Sequence, residues 1–342
     1  MIRANPAVTS SLFSAARSSV RPSVRSYATA PSSGGSSNLP LWLGLGGIAG
    51  LGAYWGLGGL NGSPPKVSGK DVKEALSPTS VSGALSKEKF IDFKLKEVIP
   101  YNHDSSTFVF DIPDNAPSGL TLASAVVTKG SGDGPKDKDG KPVIRPYTPV
   151  TSPETKGHID FLIKKYPGGA MTEHIHSLKP GDSLAIKGPI PKFPYKANEF
   201  EELGMIAGGT GITPMWQVIQ AIANDKSDKT KVTLVYTNKS EADILLREKF
   251  DDLQKNDSRF KIVYGLDQLP KGFNGFTGYV TPEIISEHMP APGKADKIKL
   301  FICGPPPQVE AISGGKGPKG SQGELKGLLA DAGYQQDQIY KF

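Results

Sequence analysis

Three short segments carry the residues of this chain best suited to chemistry. Residues 145–148 (Arg-Pro-Tyr-Thr) offer a cation, an aromatic ring and a hydroxyl on an extended strand. Residues 208–214 (Gly-Gly-Thr-Gly-Ile-Thr-Pro) follow an apolar run and open a helical pattern, so their amides can face a diphosphate. Residues 303–308 (Cys-Gly-Pro-Pro-Pro-Gln) end another apolar run. Paired carboxylates and a Ser/His/Asp arrangement at useful spacing are missing. Their absence favours hydride transfer, which depends on positioning more than on acid–base groups.

Two further segments bear on nucleotide binding. Residues 168–172 precede a helical pattern, so free amides and the helix dipole can hold an anion there. Residues 237–243 follow a strand-like run and carry Glu241 and Asp243. A phosphate on the adenosine ribose needs arginine or a similar donor, whereas an acidic group disfavours that phosphate and can accept from ribose hydroxyls. The sequence therefore predicts NADH over NADPH, although a carboxylate stabilised at a helix N-terminus explains Asp243 equally well.

The excess of basic residues lies near the N-terminus. The chain has 40 Lys and Arg against 34 Asp and Glu; six basic residues and no acidic ones precede Asp71, so the remainder has 34 of each sign. A neutral folded part argues against nucleic-acid binding as the main function. The single cysteine excludes an intrachain disulfide and a cysteine-based zinc or iron–sulfur site. No metal is predicted, because His174 and His176 lack a third ligand and are expected on a solvated helix surface.

The first 86 residues differ in composition from the rest. Residues 1–40 are rich in Ser, Ala and Arg, which is typical of a mitochondrial targeting segment; a disordered tail is the alternative. Residues 41–60 contain no charge and, as a helix, would reach roughly the 30 Å of a bilayer core. They are predicted to form a transmembrane anchor; a hydrophobic segment removed on maturation is the alternative. Residues 61–86, rich in Ser, Pro and Gly, are predicted to be a linker.

Two domains are predicted after the linker. Residues 87–197 contain short strand-like runs with Gly and Pro turns and only one helical stretch, which indicates a small antiparallel β-barrel. The last of these strands is expected to end before Gly188. In residues 198–342 strand-like runs alternate with helical ones, including a helix over 241–254, which indicates a parallel sheet covered on both faces. The segments at 208, 237–243 and 303 each follow a strand, where such sheets bind ligands.

These motifs, in this order and spacing, resemble those of the ferredoxin-reductase-like flavoproteins and, within them, the NADH-cytochrome b5 reductases of fungal mitochondria. The similarity covers roughly residues 88–342. It implies an FAD-binding barrel domain followed by an NADH-binding α/β domain. Ala170 stands where the family commonly has lysine, so contacts there are expected from the backbone. Thr148, Lys164 and Cys303 are the residues implied in catalysis. The cofactor-binding residues implied are Arg145, Pro146, Tyr147, Thr148, Leu162, Lys164, Tyr166, Gly169, Ala170, Met171, Thr172, Gly209, Thr210, Gly211, Thr213, Asp243, Cys303, Gly304 and Pro305.

The resemblance also implies an activity and a partner. A hydride would pass from NADH to N5 of FAD, and single electrons would then pass to the haem of cytochrome b5. The expected location is the outer mitochondrial membrane, as a single-pass monomer, with a processed form in the intermembrane space as the alternative. Two other functions stay open: a reductase for quinone or another acceptor, and a membrane-tethered nucleotide sensor without turnover.

Overall fold

The structure is a computed structural model that describes residues 83–342. The predicted targeting segment (1–40) and anchor (41–60), and nearly all of the predicted linker (61–86), lie outside the described residues. Within 83–342, no helix is long and apolar enough to cross a membrane. The described part contains two six-stranded sheets, one antiparallel and one parallel.

The first sheet forms the predicted barrel. Its strands are β1 (Ile91–Pro100), β2 (Ser105–Asp111), β3 (Ser124–Gly130), β4 (Arg145–Tyr147), β5 (His158–Lys164) and β6 (Ser183–Pro191), in the spatial order β4-β3-β6-β1-β2-β5. Just beyond β4, the Val150 amide donates to the Asp160 carbonyl of β5 at 2.9 Å, so the two edge strands meet. β6 continues through Gly188 to Pro191, so the expectation that it ends before Gly188 was wrong.

Alternating apolar side chains fill the barrel, as the period-2 pattern requires. Phe93 and Leu95 of β1 and Phe161 of β5 are at most 2% exposed. Helix α1 (Ala170–Ser177) adds Met171 and Ile175 to this core. The expectation that His174 and His176 lie on a solvated surface was wrong: both are partly buried, and burial lowers the pKa of each. α1 packs against the barrel, which brings His176 Nε2 to 3.0 Å from the Ile163 carbonyl oxygen.

The second sheet is parallel throughout. Its strands are β7 (Glu202–Gly208), β8 (Lys231–Asn238), β9 (Phe260–Leu266), β10 (Phe276–Thr277), β11 (Ile298–Cys303) and β12 (Ile339–Lys341), in the order β10-β9-β8-β7-β11-β12. The chain moves outward from β7 to β10 and then returns to β11 on the other side of β7. A topological switch point therefore lies between β7 and β11, where sheets of this kind bind ligands. The helices of this domain are α2 (Ile212–Asn224), α3 (Arg247–Asn256), α4 (Pro282–His288), α5 (Pro306–Ser313) and α6 (Gly327–Asp331).

The predicted helix over 241–254 is in fact two elements. A short 3₁₀ turn, Glu241–Asp243, is closed by a capping box in which Asp243 Oδ2 accepts from the amide and hydroxyl of Ser240. α3 begins only at Arg247, because Leu246 has a left-handed backbone (φ 59°) that no continuous helix accommodates. The break allows the side chains of this segment to face in different directions.

Helix α2 joins the two domains. Gln217 is 4% exposed; its Oε1 accepts from the Ser124 amide at 2.9 Å, and its Nε2 donates to the Pro149 carbonyl at 2.9 Å. Trp216 Nε1 donates to the Val150 carbonyl at 3.1 Å. Because α2 begins immediately after the glycine loop of β7, these bonds fix the loop relative to the barrel.

Candidate functional site

A cleft of about 580 Å³ lies between the barrel and the carboxyl edge of the parallel sheet. This volume is within the range of small-molecule sites. Both domains contribute to its walls. Of the residues predicted to bind cofactors or act in catalysis, the cleft is lined by Pro146, Tyr147, Thr148, Leu162, Lys164, Tyr166, Thr172, Gly209, Thr210, Gly211, Thr213, Cys303, Gly304 and Pro305.

The barrel wall presents an aromatic surface and a hydroxyl. Tyr147 makes an edge contact with Phe161, with ring centroids 6.5 Å apart, and burial raises its pKa to about 12. Thr148 follows directly on the same wall. The neutral ring of Tyr147 can support a flat aromatic ligand, while Thr148 can donate a hydrogen bond to it.

The opposite wall is the loop that follows β7. Gly209 has φ +50°, and a Cβ atom added there would meet no heavy atom within 4 Å, so a ligand can approach this backbone closely. The Tyr236 hydroxyl donates to the Gly209 carbonyl at 3.0 Å and accepts from the Leu245 amide at 3.3 Å. Thr213 lies inside helix α2, and its hydroxyl donates to the Thr210 carbonyl at 3.2 Å.

Cys303 ends β11 at the switch point and lines the cleft. Burial raises the pKa of its thiol to about 11, although the positive charge of Lys316 opposes this shift. The thiol is therefore protonated at neutral pH and is a poor nucleophile. Its arrangement suits packing against a bound ring and not covalent catalysis.

Lys164 of β5 lies in a charged cluster at one end of the cleft. Its ammonium is 2.8 Å from Asp104 Oδ2 and 3.0 Å from Asp243 Oδ1. Burial works against its charge, but the hydrogen bonds to the two carboxylates raise the pKa of Lys164 overall. His103, Asp104 and Asp243 could offer metal-ligating atoms within 4.8 Å of one another. The Lys164 ammonium already lies between these carboxylates, where a cation would bind.

Five predicted residues do not line the cleft. Arg145 is exposed, and its guanidinium donates to the neighbouring Ile144 carbonyl at 2.9 Å. Gly169 is the N-cap of α1, Ala170 is its first residue, and the Met171 side chain lies in the barrel core, so these three residues can offer only backbone groups. The fifth, Asp243, is 9% exposed and reaches the cleft through Lys164.

The cleft also contains residues that the site prediction missed. Phe161 belongs to the alternating apolar pattern of β5, which indicates core packing, and nothing in the sequence around Ala125 indicates a site. Lys192 and Lys316 lie in loops whose positions depend on the tertiary fold. The C-terminal Phe342 is a further residue of this kind. It lines the cleft, held by the bond from its amide to the Ile302 carbonyl at 2.9 Å.

One buried side chain at the nucleotide edge lacks hydrogen-bond partners. Asn238, the last residue of β8, is 9% exposed, and neither its Oδ1 nor its Nδ2 has a partner among the described residues. Buried amides are normally satisfied, and an unsatisfied one calls for a ligand or a water molecule. Its place beside the loop with Asp243 fits the hydroxyl-rich ribose of a dinucleotide. The open backbone at Gly209 fits a diphosphate equally well.

Fold and cleft together define a two-domain oxidoreductase of the ferredoxin-reductase type, with an FAD-binding barrel and an NAD-binding sheet. Residues 92–195 match the oxidoreductase FAD-binding domain family, and residues 205–314 match the oxidoreductase NAD-binding domain family. The chain is 64% identical to NADH-cytochrome b5 reductase 2 of Mycosarcoma maydis, covering 98% of this chain and 99% of that one. It is 43% identical to the protein of the same name from Phaeosphaeria nodorum, in an alignment that covers 96% of this chain and 99% of that one. The cytochrome b5 reductase domain of Ulva prolifera nitrate reductase superposes with a TM-score of 0.65 at 28% identity, covering 76% of this chain and all of that domain. The chain belongs to the NADH-cytochrome b5 reductase family.

Proposed function

We propose that this protein oxidises NADH by hydride transfer to N5 of FAD and delivers the electrons singly to cytochrome b5. The observation that carries the proposal is the cleft at the switch point, which is lined both by Tyr147 and Thr148 of the barrel and by Cys303 of the sheet. When bound, the flavin supplies the conversion between two-electron and one-electron chemistry that side chains cannot perform. The chain itself binds, orients and shields the two rings.

The strand order supports one direction for the dinucleotide. Asp243 follows β8, Gly209 follows β7 and Cys303 ends β11, and these three strands are neighbours. An extended NADH would then be held at its adenosine ribose by the Asp243 segment, at its diphosphate by the β7 loop and at its nicotinamide by Cys303. Thr148 of the barrel lines the same cleft and would be available to the flavin. This arrangement brings donor and acceptor rings together without acid–base groups.

The charge at the far end of the cleft supports an acidic electron acceptor. Lys192 and Lys316 line this end and are exposed, and Lys192 is close enough for its charge to add to burial in lowering the pKa of Lys316. Within residues 83–342, neither ammonium forms an ion pair. Both lie on the β12 side: Tyr340 donates to the Lys192 carbonyl, and Lys341 Nζ donates to the Gly315 carbonyl at 3.1 Å. This position lies past the end of the cleft where the nicotinamide is proposed to bind. The two lysines are therefore available to form ion pairs with carboxylates of cytochrome b5.

The decisive test uses the full-length protein in detergent. The purified protein should be yellow and should bleach anaerobically with NADH. The double variant K192E/K316E should lower kcat/KM for cytochrome b5 by roughly tenfold or more at low salt, because both steering charges are reversed. Flavin reduction by NADH should stay within about twofold, since it needs no protein partner.

The control variant is K255E. Lys255 lies in the last turn of α3, which packs against β9, and does not line the cleft, so this variant should leave both rates unchanged. Rapid quinone reduction with no reduction of cytochrome b5 would refute the acceptor assignment. A colourless protein that binds NADH without redox change would refute the whole proposal and favour the sensor.

We further propose a single-pass anchor at residues 41–60 and a location in the outer mitochondrial membrane. The support is the acid-free composition of residues 1–37 and the uncharged run that follows. Carbonate extraction of mitochondria should leave the full-length protein in the membrane fraction, whereas a variant lacking residues 41–60 should be released. Release of the intact chain would contradict the anchor.

A further inference from the structure

The charged cluster around Lys164 joins the two domains. Asp104 lies in the turn between β1 and β2 of the barrel, and Asp243 lies in the loop after β8 of the other sheet. Lys164 lies between them at 2.8 and 3.0 Å. His103 Nε2 is 3.3 Å from Asp104 Oδ2 and 3.7 Å from Asp243 Oδ1. These are the titratable groups that contact Lys164 or either carboxylate.

The cluster carries a net negative charge at neutral pH. Burial opposes ionisation, but hydrogen bonds from Lys164 and Ser105 lower the pKa of Asp104. Burial also opposes the ionisation of Asp243, but the hydrogen bonds from Ser240 and Lys164 outweigh it and lower the pKa of Asp243. Two carboxylates therefore share one ammonium, so the charge of Lys164 compensates only one of them. Each carboxylate also limits how far Lys164 can turn toward any other anion.

We infer that Asp104 is a second determinant of nucleotide specificity: through Lys164 it helps exclude dinucleotides that carry a phosphate on the adenosine ribose. This inference rests on the proposed binding of NADH with its ribose near Asp243. A ribose phosphate would meet the excess negative charge and would find Lys164 already engaged by two partners. Without Asp104, the cluster becomes neutral and Lys164 keeps only one carboxylate. Asp104 is thus a positioning residue that acts through Lys164.

The domain contact does not depend on Asp104 alone. Asn102 Nδ2 donates to the Ala242 carbonyl at 2.8 Å, and the Arg247 amide donates to the Tyr101 hydroxyl at 3.3 Å. These bonds join the same two segments. Replacing Asp104 by the nearly isosteric asparagine should therefore change the charge of the cluster while leaving the domains in place.

The test compares Asp104→Asn, Asp104→Glu and a control, Asp111→Asn, in the full-length protein. Asp111 is exposed and lies at the end of β2 that is far from the cluster. In the β2–β5 strand register Asp111 is opposite His158, whereas Ser105, at the other end of β2, is opposite Lys164. We measure kcat/KM for NADPH and for NADH with ferricyanide as the common acceptor. D104N should raise the NADPH-to-NADH ratio roughly tenfold, as expected for removing one screened charge several ångströms from the phosphate. D104E and D111N should stay within about twofold of wild type.

An unchanged ratio in an active D104N would overturn the inference. A general structural defect would slow both nucleotides and leave their ratio unaltered. Should D104N not fold, the wild-type protein still provides a test. Its NADPH-to-NADH ratio should rise with salt, because screening weakens the repulsion, and a ratio that does not rise overturns the inference. A wild-type protein that oxidises neither nucleotide refutes the proposed function instead, so the two failures are distinguishable.

Discussion

Gly211 packs backbone to backbone against the end of β11. A Cβ atom at this position would lie 2.3 Å from the Cys303 carbonyl oxygen, 2.5 Å from its carbon and 2.8 Å from the Gly304 nitrogen. Ordinary contact begins at 3.4 Å, so in Gly211→Ala the two backbones must separate by the difference, about 1.1 Å. All three clashing atoms belong to the backbone, and no side-chain rotation relieves them.

This displacement falls where the nicotinamide is proposed to bind. A misplacement of about 1 Å can cost roughly 10²-fold in rate, and overpacking costs about 1–3 kcal/mol of stability. We therefore expect G211A to reduce its flavin with NADH about a hundredfold more slowly, with a lower Tm. Stopped-flow measurement of flavin bleaching, together with thermal unfolding, checks both effects.

The matched control is Gly293→Ala. A Cβ atom there meets no heavy atom within 4 Å, and the backbone of Gly293 is not left-handed. G293A should retain wild-type rates and stability. If G211A reduces its flavin as fast as G293A does, contact between the β7 loop and Cys303 does not position the nicotinamide, and the reasoning fails.

Three further outcomes are expected. Gln217→Leu leaves the Ser124 amide and the Pro149 carbonyl without partners, so Tm should fall by roughly 5–15 °C; an unchanged Tm would show that water satisfies both groups. The single cysteine, Cys303, has a pKa raised to about 11, so iodoacetamide at pH 8 should modify it about 10²-fold more slowly than an ordinary thiol; labelling at the ordinary rate contradicts its burial. Folding lowers the pKa of Asp104. The stability that its ion pairs contribute is therefore present above the pKa of Asp104 in the unfolded chain, and it is lost as the pH falls through the pKa of Asp104 in the folded protein. The Tm difference between wild type and D104N should therefore shrink below about pH 4; a difference that persists undiminished there would contradict the assigned charge of Asp104.

The sequence alone determined the architecture and most of the cleft. Alternating apolar residues specified the barrel strands, and buried runs followed by glycines specified the parallel strands whose ends bind ligands. Both signals are local, because side-chain periodicity and backbone freedom depend on neighbouring residues. The glycine loop, Tyr147, Thr148 and Cys303, whose site roles the resemblance to the flavoprotein family implied, all line the cleft.

Tertiary structure decided the features that depend on distant parts of the chain. The break at Leu246 separates a turn from a helix where the pattern indicated one helix, because the capping box and the contacts of this segment outweigh helical propensity. Asp104 meets Lys164 and Asp243 only after two domains pack together. Lys192 and Lys316 form one positive end of the cleft although 124 positions separate them. Electrostatic coupling depends on distance in space, which no local pattern in the sequence encodes.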